Sequence, residues 1–405
     1  MSKPEFLSFS STELMPQEEK LELKKKKGRL QIGVPNETCL QEKRVVLTPE
    51  AVQLLTENGH QVLVESEAGE SAHYTDHDYS EAGARIVYHP RDVYECHLIL
   101  KVEPPSLEEI GLMKHGQTLI SALQLKTQRK AYFEQLMKKK VTALSFENME
   151  DEDGIVPVVR SMSEIAGNTS ILIAAEYLSN VNEGKGFLLG GVSGVPPTEV
   201  VIIGAGTVGT YAARTALGLG ASVKVFDYSL SKLRRLQTTL QNLPVYTCVI
   251  QPKILEKALM RCDVAIGAIR GKGGRTPCVV TEAMVQQMKP GSVVIDVSID
   301  QGGCFESSEL SDHDKPIMRK YDVIHYGVPN IPSRVSRTAS FCLSNIMGPI
   351  LLSVADAGGI DAVLTRQHRI RKGLYLYRGQ LVNAPIGEWF DLPYTDAHLL
   401  MDEDL

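Results

Sequence analysis

Residues 199–227 read EVVIIGAGTVGTYAARTALGLGASVKVFD, and no other stretch limits the fold as tightly. Val200 to Ile203 form a short apolar run, the pattern of a strand buried on both faces. The chain then turns through Gly204-Ala205-Gly206 and enters a helical run with Gly209 in its first turn. A second apolar strand, Val223 to Phe226, ends on Asp227. Strand, glycine-rich turn, helix, strand and terminal acid are the ordered parts of a dinucleotide-binding unit. The first glycine permits the tight turn, the second lets backbone approach a pyrophosphate, and the third lets helix pack close to strand. The expected cradle therefore runs through Gly204, Gly206, Thr207, Val208 and Gly209, with phosphates at the helix N-terminus, where unpaired N–H groups and the helix dipole favour anions. A carboxylate at Asp227 accepts hydrogen bonds from a ribose diol and repels a 2′-phosphate, so the cofactor expected is NAD rather than NADP.

The remaining composition narrows the class. At 405 residues the chain is long enough for two domains, and 43% apolar with 23% charged residues excludes a fibrous or disordered protein. A net charge of −6 with no groove-like basic run gives no reason to expect nucleic acid as a partner. No uninterrupted apolar run approaches the roughly 18 residues of a membrane span. The polar N-terminus lacks the apolar core of a secretory signal, so a cytoplasmic location is expected. The seven cysteines are scattered with no CxxC pair, which points to reduced thiols and to no metal site.

Along the chain, a charged extension over residues 1–29 contains Lys24-Lys25-Lys26-Lys27 and reads as a solvated segment rather than a polyanion-binding arm. From residue 30, apolar strand-like runs alternate with helix-like runs: 30–33, 60–65, 84–88, 97–102, 117–123 and 141–146. A long helix is expected over 164–180, then the fingerprint, then strands at 263–269, 292–298 and 322–328, and a helical tail from about Ser336 to Gly358 that returns to the first unit. The fold class expected is α/β, two Rossmann-like doubly wound parallel-sheet domains with an active-site cleft between them. The closing MDEDL reads as an acidic solvated end.

Several polar residues interrupt this apolar frame. Arg44, in KRVVLTP, offers a planar fork that binds two carboxylate oxygens, or sits in a surface ion pair. Lys101 interrupts the buried run HLILKVEPP at the strand's C-terminal end, where α/β sheets bind ligands; the plainer alternative is a stem that snorkels past apolar neighbours. Asp300 closes VVIDVSID before Gly302-Gly303, either facing the nicotinamide end of a cofactor or capping a turn. Asn330 in GVPNIP is open between a cofactor amide contact and a turn residue. His325 lies within an apolar strand and reads as a satisfied core histidine.

The strings KRVVLTP, LILKVEPP, MSEIAG, LLGGVSGVPP, VIIGAGTVG, VSIDQGGCFE and HYGVPNIP occur in order and at distances that resemble the alanine dehydrogenase family, which includes the soluble NAD-binding part of proton-translocating transhydrogenase. The resemblance runs from about residue 30 to about 385. It implies a substrate domain of residues 30–157 plus 333–390, interrupted by an NAD-binding domain of residues 158–332 and followed by an acidic tail over 391–405. It also implies that Arg44 and Lys101 hold the substrate, with Asn330 close by, and that Asp300 sits beside the nicotinamide and helps activate water. Ser163, Asp227, Lys232, Ile299, Asp300 and Asn330 join the glycine turn as cofactor contacts. The partner is a small 2-amino or 2-keto acid, and the assembly a homo-hexamer.

One position departs from the pattern. The family carries a catalytic histidine in a string like YLHLA; here the string is ALQLK and the position is Gln124. An amide does not titrate, and oxidative deamination needs proton transfer. Asp300 and then Lys101 are the substitutes the motifs offer, while Gln124 is left to orient a keto acid or water. Three activities follow: an NAD-dependent amino acid dehydrogenase acting on alanine or a related residue, a transhydrogenase-type hydride-transfer subunit, and a non-catalytic NAD-binding homologue. Gln124 favours the second, whereas FENMEDEDGIVPVVR lacks the loop such subunits present to their partner and DQGGCFE looks like the dehydrogenase branch.

Overall fold

A computed structural model describes residues 28–39, 41–241, 243–271 and 276–401. Residues 1–27, including the four-lysine run, and residues 402–405 lie outside the described residues. The first sheet is built from β1 (Gln31–Val34), β2 (Gln61–Glu65), β3 (Arg85–Val87), β4 (Leu98–Leu100), β5 (Thr118–Ser121) and β6 (Thr142–Ser145). The chain then crosses through the helix Pro157–Leu178 into a second sheet. This comprises β7 (Glu199–Ile203), β8 (Ser222–Asp227), β9 (Val245–Val249), β10 (Val264–Gly267), β11 (Val293–Asp296), β12 (Ile317–Lys320) and β13 (Val323–Tyr326). After the helix Ser336–Ala357 it returns to the first sheet as β14 (Leu374–Tyr377) and β15 (Gln380–Leu381).

Both sheets follow one plan. The order β3-β2-β1-β4-β5-β6 is parallel throughout, with β14 and β15 added antiparallel beyond β6. The order β9-β8-β7-β10-β11-β13 is likewise parallel, with β12 antiparallel at its edge. Each is a doubly wound sheet whose strand order reverses beside its first strand, at β1/β4 and at β7/β10. Strands β5, β6, β10, β11 and β13 are buried along their whole length, which is why they appear in sequence as predominantly apolar runs without polar alternation.

The long helices join the two halves. Pro157 opens the first, where its missing N–H is no loss, and Gly167 brings it against the helix Thr207–Gly218: a Cβ at Gly167 would lie 2.4 Å from the Val208 carbonyl oxygen. In the helix Ser336–Ala357, Leu343, Met347, Leu351 and Val354 fill the core of the first sheet. The segment Ile331–Ala357 is long and apolar enough to cross a membrane by length and composition, and half of it is buried inside the protein. The acidic residues of the closing MDEDL lie outside the described residues, and only its first residue is placed. Met401, in the helix Ala397–Met401, is only 5% exposed and belongs to the first core.

Candidate active site

The two switch points open into one cavity of about 280 Å³. From the first sheet come Arg44, which follows β1, Glu103, which follows β4, and Gln124 and Glu147, which follow β5 and β6. From the second come Val208 of the glycine turn's helix, Ala268 to Arg270 after β10, Asp300 after β11 and Asn330 after β13. Ser163 on the helix Pro157–Leu178 completes the wall.

The glycine turn fits a dinucleotide phosphate. Gly204 takes φ +118°, and a Cβ there would meet the Ala268 carbonyl oxygen at 2.4 Å. A Cβ at Gly209 would sit 1.8 Å from the Gly204 carbonyl oxygen, so helix and turn touch only because no side chain intervenes. A Cβ at Gly206 would point into open space, where a phosphate can approach the backbone at the N-terminus of the helix Thr207–Gly218. Asp227 is 6% exposed and braces this turn: Ala205 N–H donates to its Oδ2 and Ser229 N–H to its Oδ1, each at 2.8 Å. Each carboxylate oxygen keeps a second lone pair for a ribose hydroxyl. Lys232 is exposed on the helix Leu230–Thr239, and Ile299 is buried beneath the loop that carries Asp300. Neither of these two lines the cavity, nor does Asp227.

Arg44 stands at the cavity wall, locked by a neighbour two residues away. Its Nε donates to Glu42 Oε1 at 2.7 Å and its Nη2 to Glu42 Oε2 at 2.6 Å. Nη1 faces the thioether of Met162 at 3.5 Å, a weak acceptor that leaves donor capacity for a ligand. Burial works against a charged Glu42, but Arg44 outweighs it and holds the carboxyl down at about 2. Asn330, at φ 59°, donates from Nδ2 to Glu42 Oε2 at 2.8 Å, and Ser333 Oγ lies 3.3 Å from Glu42 Oε1. The arginine loop is thus pinned to the segment after β13. The Lys43 and Val45 N–H groups donate to the hydroxyls of Ser333 and Ser340, at 2.8 and 2.9 Å.

Lys101, expected to grip the substrate, is not among the residues that line the cavity. Its side chain is 1% exposed; Nζ donates to Glu109 Oε1 at 2.5 Å and lies 3.5 Å from Glu37 Oε2. Burial favours the neutral amine, yet Glu37 and Glu109 together raise its pKa and keep it charged. Val102 and Glu103 line the cavity at this strand end, and Glu103, two positions on, is a polar residue that the motifs did not single out. Its N–H donates to Glu37 Oε2 at 3.3 Å, its carboxyl lies 3.5 Å from Arg44 Nη2, and it accepts a hydrogen bond from Gln124 Nε2. Four carboxylates, Glu37, Glu42, Glu103 and Glu109, surround two cations, Arg44 and Lys101, in this buried network. The surplus is met by protonation. Burial pushes Glu37 up to about 7; burial and the adjacent Glu42 push Glu103 up to about 8.

Gln124 is held in a left-handed turn, φ 45° and ψ 51°, because Glu147 Oε2 accepts both the Leu123 and Gln124 N–H groups, at 2.7 and 2.9 Å. Asp300 reaches the cavity from the single 3₁₀ turn Ile299–Gln301, and the surrounding protein raises its carboxyl by desolvation. The loop that follows is shaped by Asp296, which accepts from the N–H groups of Ser298, Cys304 and Phe305 at 3.2, 2.8 and 3.1 Å. His325 is the satisfied core histidine expected. It is 1% exposed, with its ring nitrogens 2.8 Å from Ser307 Oγ and 3.1 Å from the Val323 carbonyl.

Comparison with known proteins agrees with this fold. Residues 33–166 match the profile described as alanine dehydrogenase/PNT, N-terminal domain, and residues 170–384 match the corresponding C-terminal domain. An alanine dehydrogenase of Mycolicibacterium smegmatis is 40% identical over 367 residues, covering 90% of this chain and 98% of that protein. Alanine dehydrogenase 2 of Staphylococcus aureus is 39% identical over 369 residues, covering 91% and 98%. A solved L-alanine dehydrogenase superposes with a TM-score of 0.83 at 38% identity, covering 89% of this chain and 99% of that one. A transhydrogenase structure from Sinorhizobium meliloti has a TM-score of 0.77 at 23% identity, covering 87% and 99%, and shares the fold.

Proposed function

Because this chain belongs to the alanine dehydrogenase/PNT family, we propose that it is an NAD-dependent oxidoreductase acting on CH–NH2 donors, which converts L-alanine, NAD and water to pyruvate, ammonium, NADH and a proton. The observation that carries the reading is that Arg44 and Asp300, from different sheets, open into one cavity that also meets the glycine-turn helix through Val208. NAD would supply the hydride acceptor here, with Gly204, Gly206, Thr207, Val208 and Gly209 to hold its pyrophosphate and Asp227 and Lys232 to hold its adenosine ribose. Arg44 Nη1 takes the substrate carboxylate, and Glu42 keeps the guanidinium in plane for it. Asp300, on the cavity wall, would face the nicotinamide and orient the attacking water. Ser163 and Asn330 hold the polar rim, and Gln124 positions the reacting carboxyl network rather than a proton of its own. Lys101 has no part in this assignment, because its ammonium is enclosed by Glu37 and Glu109.

Residues 30–157 plus 333–390 act as the substrate domain and 158–332 as the nucleotide domain. Family membership supports a cytoplasmic homo-hexamer, which light scattering on the purified protein would test. The reading itself is tested by an initial-rate screen of small 2-keto acids with ammonium and NADH. Turnover with pyruvate or a near homologue is expected, and no turnover with any of them overturns it. Exchange of hydride between NADPH and a thio-NAD analogue in place of that turnover would support a transhydrogenase-type subunit.

A further inference from the structure

We propose that Glu103 is the proton-exchanging residue of the reaction, taking and returning the proton that a histidine at position 124 would have carried. The inference rests on the dehydrogenase reading of this same cavity. Gln124 has no titrating group, but its amide donates to Glu103 Oε2. The titrating group is therefore the side chain that Gln124 grips. Glu103 lines the cavity alongside Arg44, where the substrate carboxylate is assigned, so the substrate's α-carbon comes within its reach.

The surroundings suit the role. From the loop after β1, Glu37, Cys39, Glu42 and Arg44 face Glu103; Lys101 lies behind it on its own strand end. Glu147 sits beyond Gln124, and Arg270 and Asp300 face the cavity from the other sheet. Glu42 is spoken for by Arg44, Glu37 by the Val102 N–H at 2.6 Å and by Lys101, and Glu109 by Lys101. Of the network's carboxyls, only Glu103 lines the cavity. A base held near neutral pH both accepts and donates a proton, which acid–base catalysis in two directions requires. Burial and the neighbouring Glu42 place Glu103 at about 8.

The step balances as follows. The substrate reacts with its amino group deprotonated, the ammonium proton having gone to solvent; once its α-hydride has been lost to the NAD the site would hold, it is an iminium. Water adds to its carbon; a C–O bond forms and the water's proton goes to the Glu103 carboxylate. The carboxylic acid returns that proton to the amino nitrogen, the C–N bond breaks and ammonia leaves. The hydroxyl proton passes back to Glu103 as the C=O bond forms, and solvent removes it before the next turnover.

The test compares the full-length protein with Glu103→Gln and Glu103→Asp, reading kcat and kcat/KM for deamination across pH and NADH binding by fluorescence. The unmutated protein should show kcat/KM for deamination rising with pH through an inflection near 8, as the ligand-free cavity sets it. Glu103→Gln should lose about 10²–10⁴-fold in kcat together with that inflection, while NADH binds within about twofold. Glu103→Asp, which keeps a carboxyl, should recover part of the rate and an inflection. Should Glu103→Gln keep its rate, or lose rate but keep the inflection, the titrating group is elsewhere and the proposal fails. It also fails if Glu103→Asp is as slow as Glu103→Gln. These outcomes leave the dehydrogenase reading standing; absence of turnover by the unmutated protein removes that reading, and this inference with it.

Discussion

Lys101 and Glu103 are two positions apart at one strand end, yet one is sealed in an ion-pair cluster and the other faces the cavity. A buried ammonium is tolerated only with carboxylate partners, and Glu37 and Glu109 are both on the inner side. Arg44 differs because Glu42 occupies two of its donor nitrogens and leaves Nη1 toward the cavity. Arg44→Lys should therefore raise KM for the keto acid by about 10- to 100-fold, the cost of a charged hydrogen bond, with a smaller change in kcat; initial rates with varied keto acid measure this, and an unchanged KM would remove Arg44 from the site. Asp300→Asn should cut kcat steeply while NADH titration stays near normal, because the amide no longer orients water as a carboxylate does. Gln124→His sets an imidazole against Glu103. If Glu103 carries the proton, activity should change less than about tenfold, well short of the general acid–base range; a much larger gain would say that position 124 is the natural place for the base.

At the scale of elements, the nucleotide turn is a contact between backbones. Gly209→Ala would drive a Cβ to within 1.8 Å of the Gly204 carbonyl oxygen, so helix and turn must separate. Overpacking of this kind costs about 1–3 kcal/mol, and a lower Tm with weakened NADH binding is expected by calorimetry and fluorescence titration. Asp227→Ala should lower the ratio of kcat/KM for NAD over NADP, since the repulsion of a 2′-phosphate goes with the carboxylate; an unchanged ratio would assign Asp227 to bracing Ala205 and Ser229 alone. These elements were legible in sequence because β7 is a largely buried apolar run and the glycine turn, helix and β8 follow it directly along the chain. Other elements escaped. β9 is an edge strand with no fully buried residue, and β12 reads IMRK with none either, so neither carries an apolar signature. β14 and β15 form a hairpin whose place beside β6 depends on a partner more than two hundred residues earlier in the chain.

Across the whole molecule, the surplus of buried carboxyls ties stability to pH. Glu37 and Glu103 rise from an ordinary 4.5 to about 7 and about 8 on folding, so between those values the folded chain holds protons that the unfolded chain has lost. Stability should then fall as pH rises from about 5 to 8, with Glu42 contributing in the opposite sense only as pH drops below 4.5 toward about 2. Tm of the nucleotide-free protein measured over this range should decline, and Glu103→Gln should flatten the decline; a Tm that climbs with pH would contradict the buried-carboxyl account. By itself the sequence determined the nucleotide-binding unit, the parallel sheets and the family, because strand, turn, helix and acid within 199–227 are neighbours along the chain and their meaning is local. Which charges face the cavity was decided only in three dimensions. The direction of a side chain at a strand end is set by partners that the fold brings from elsewhere: Glu37 and Glu109 draw Lys101 inward, while Gln124 and Arg44 hold Glu103 at the opening.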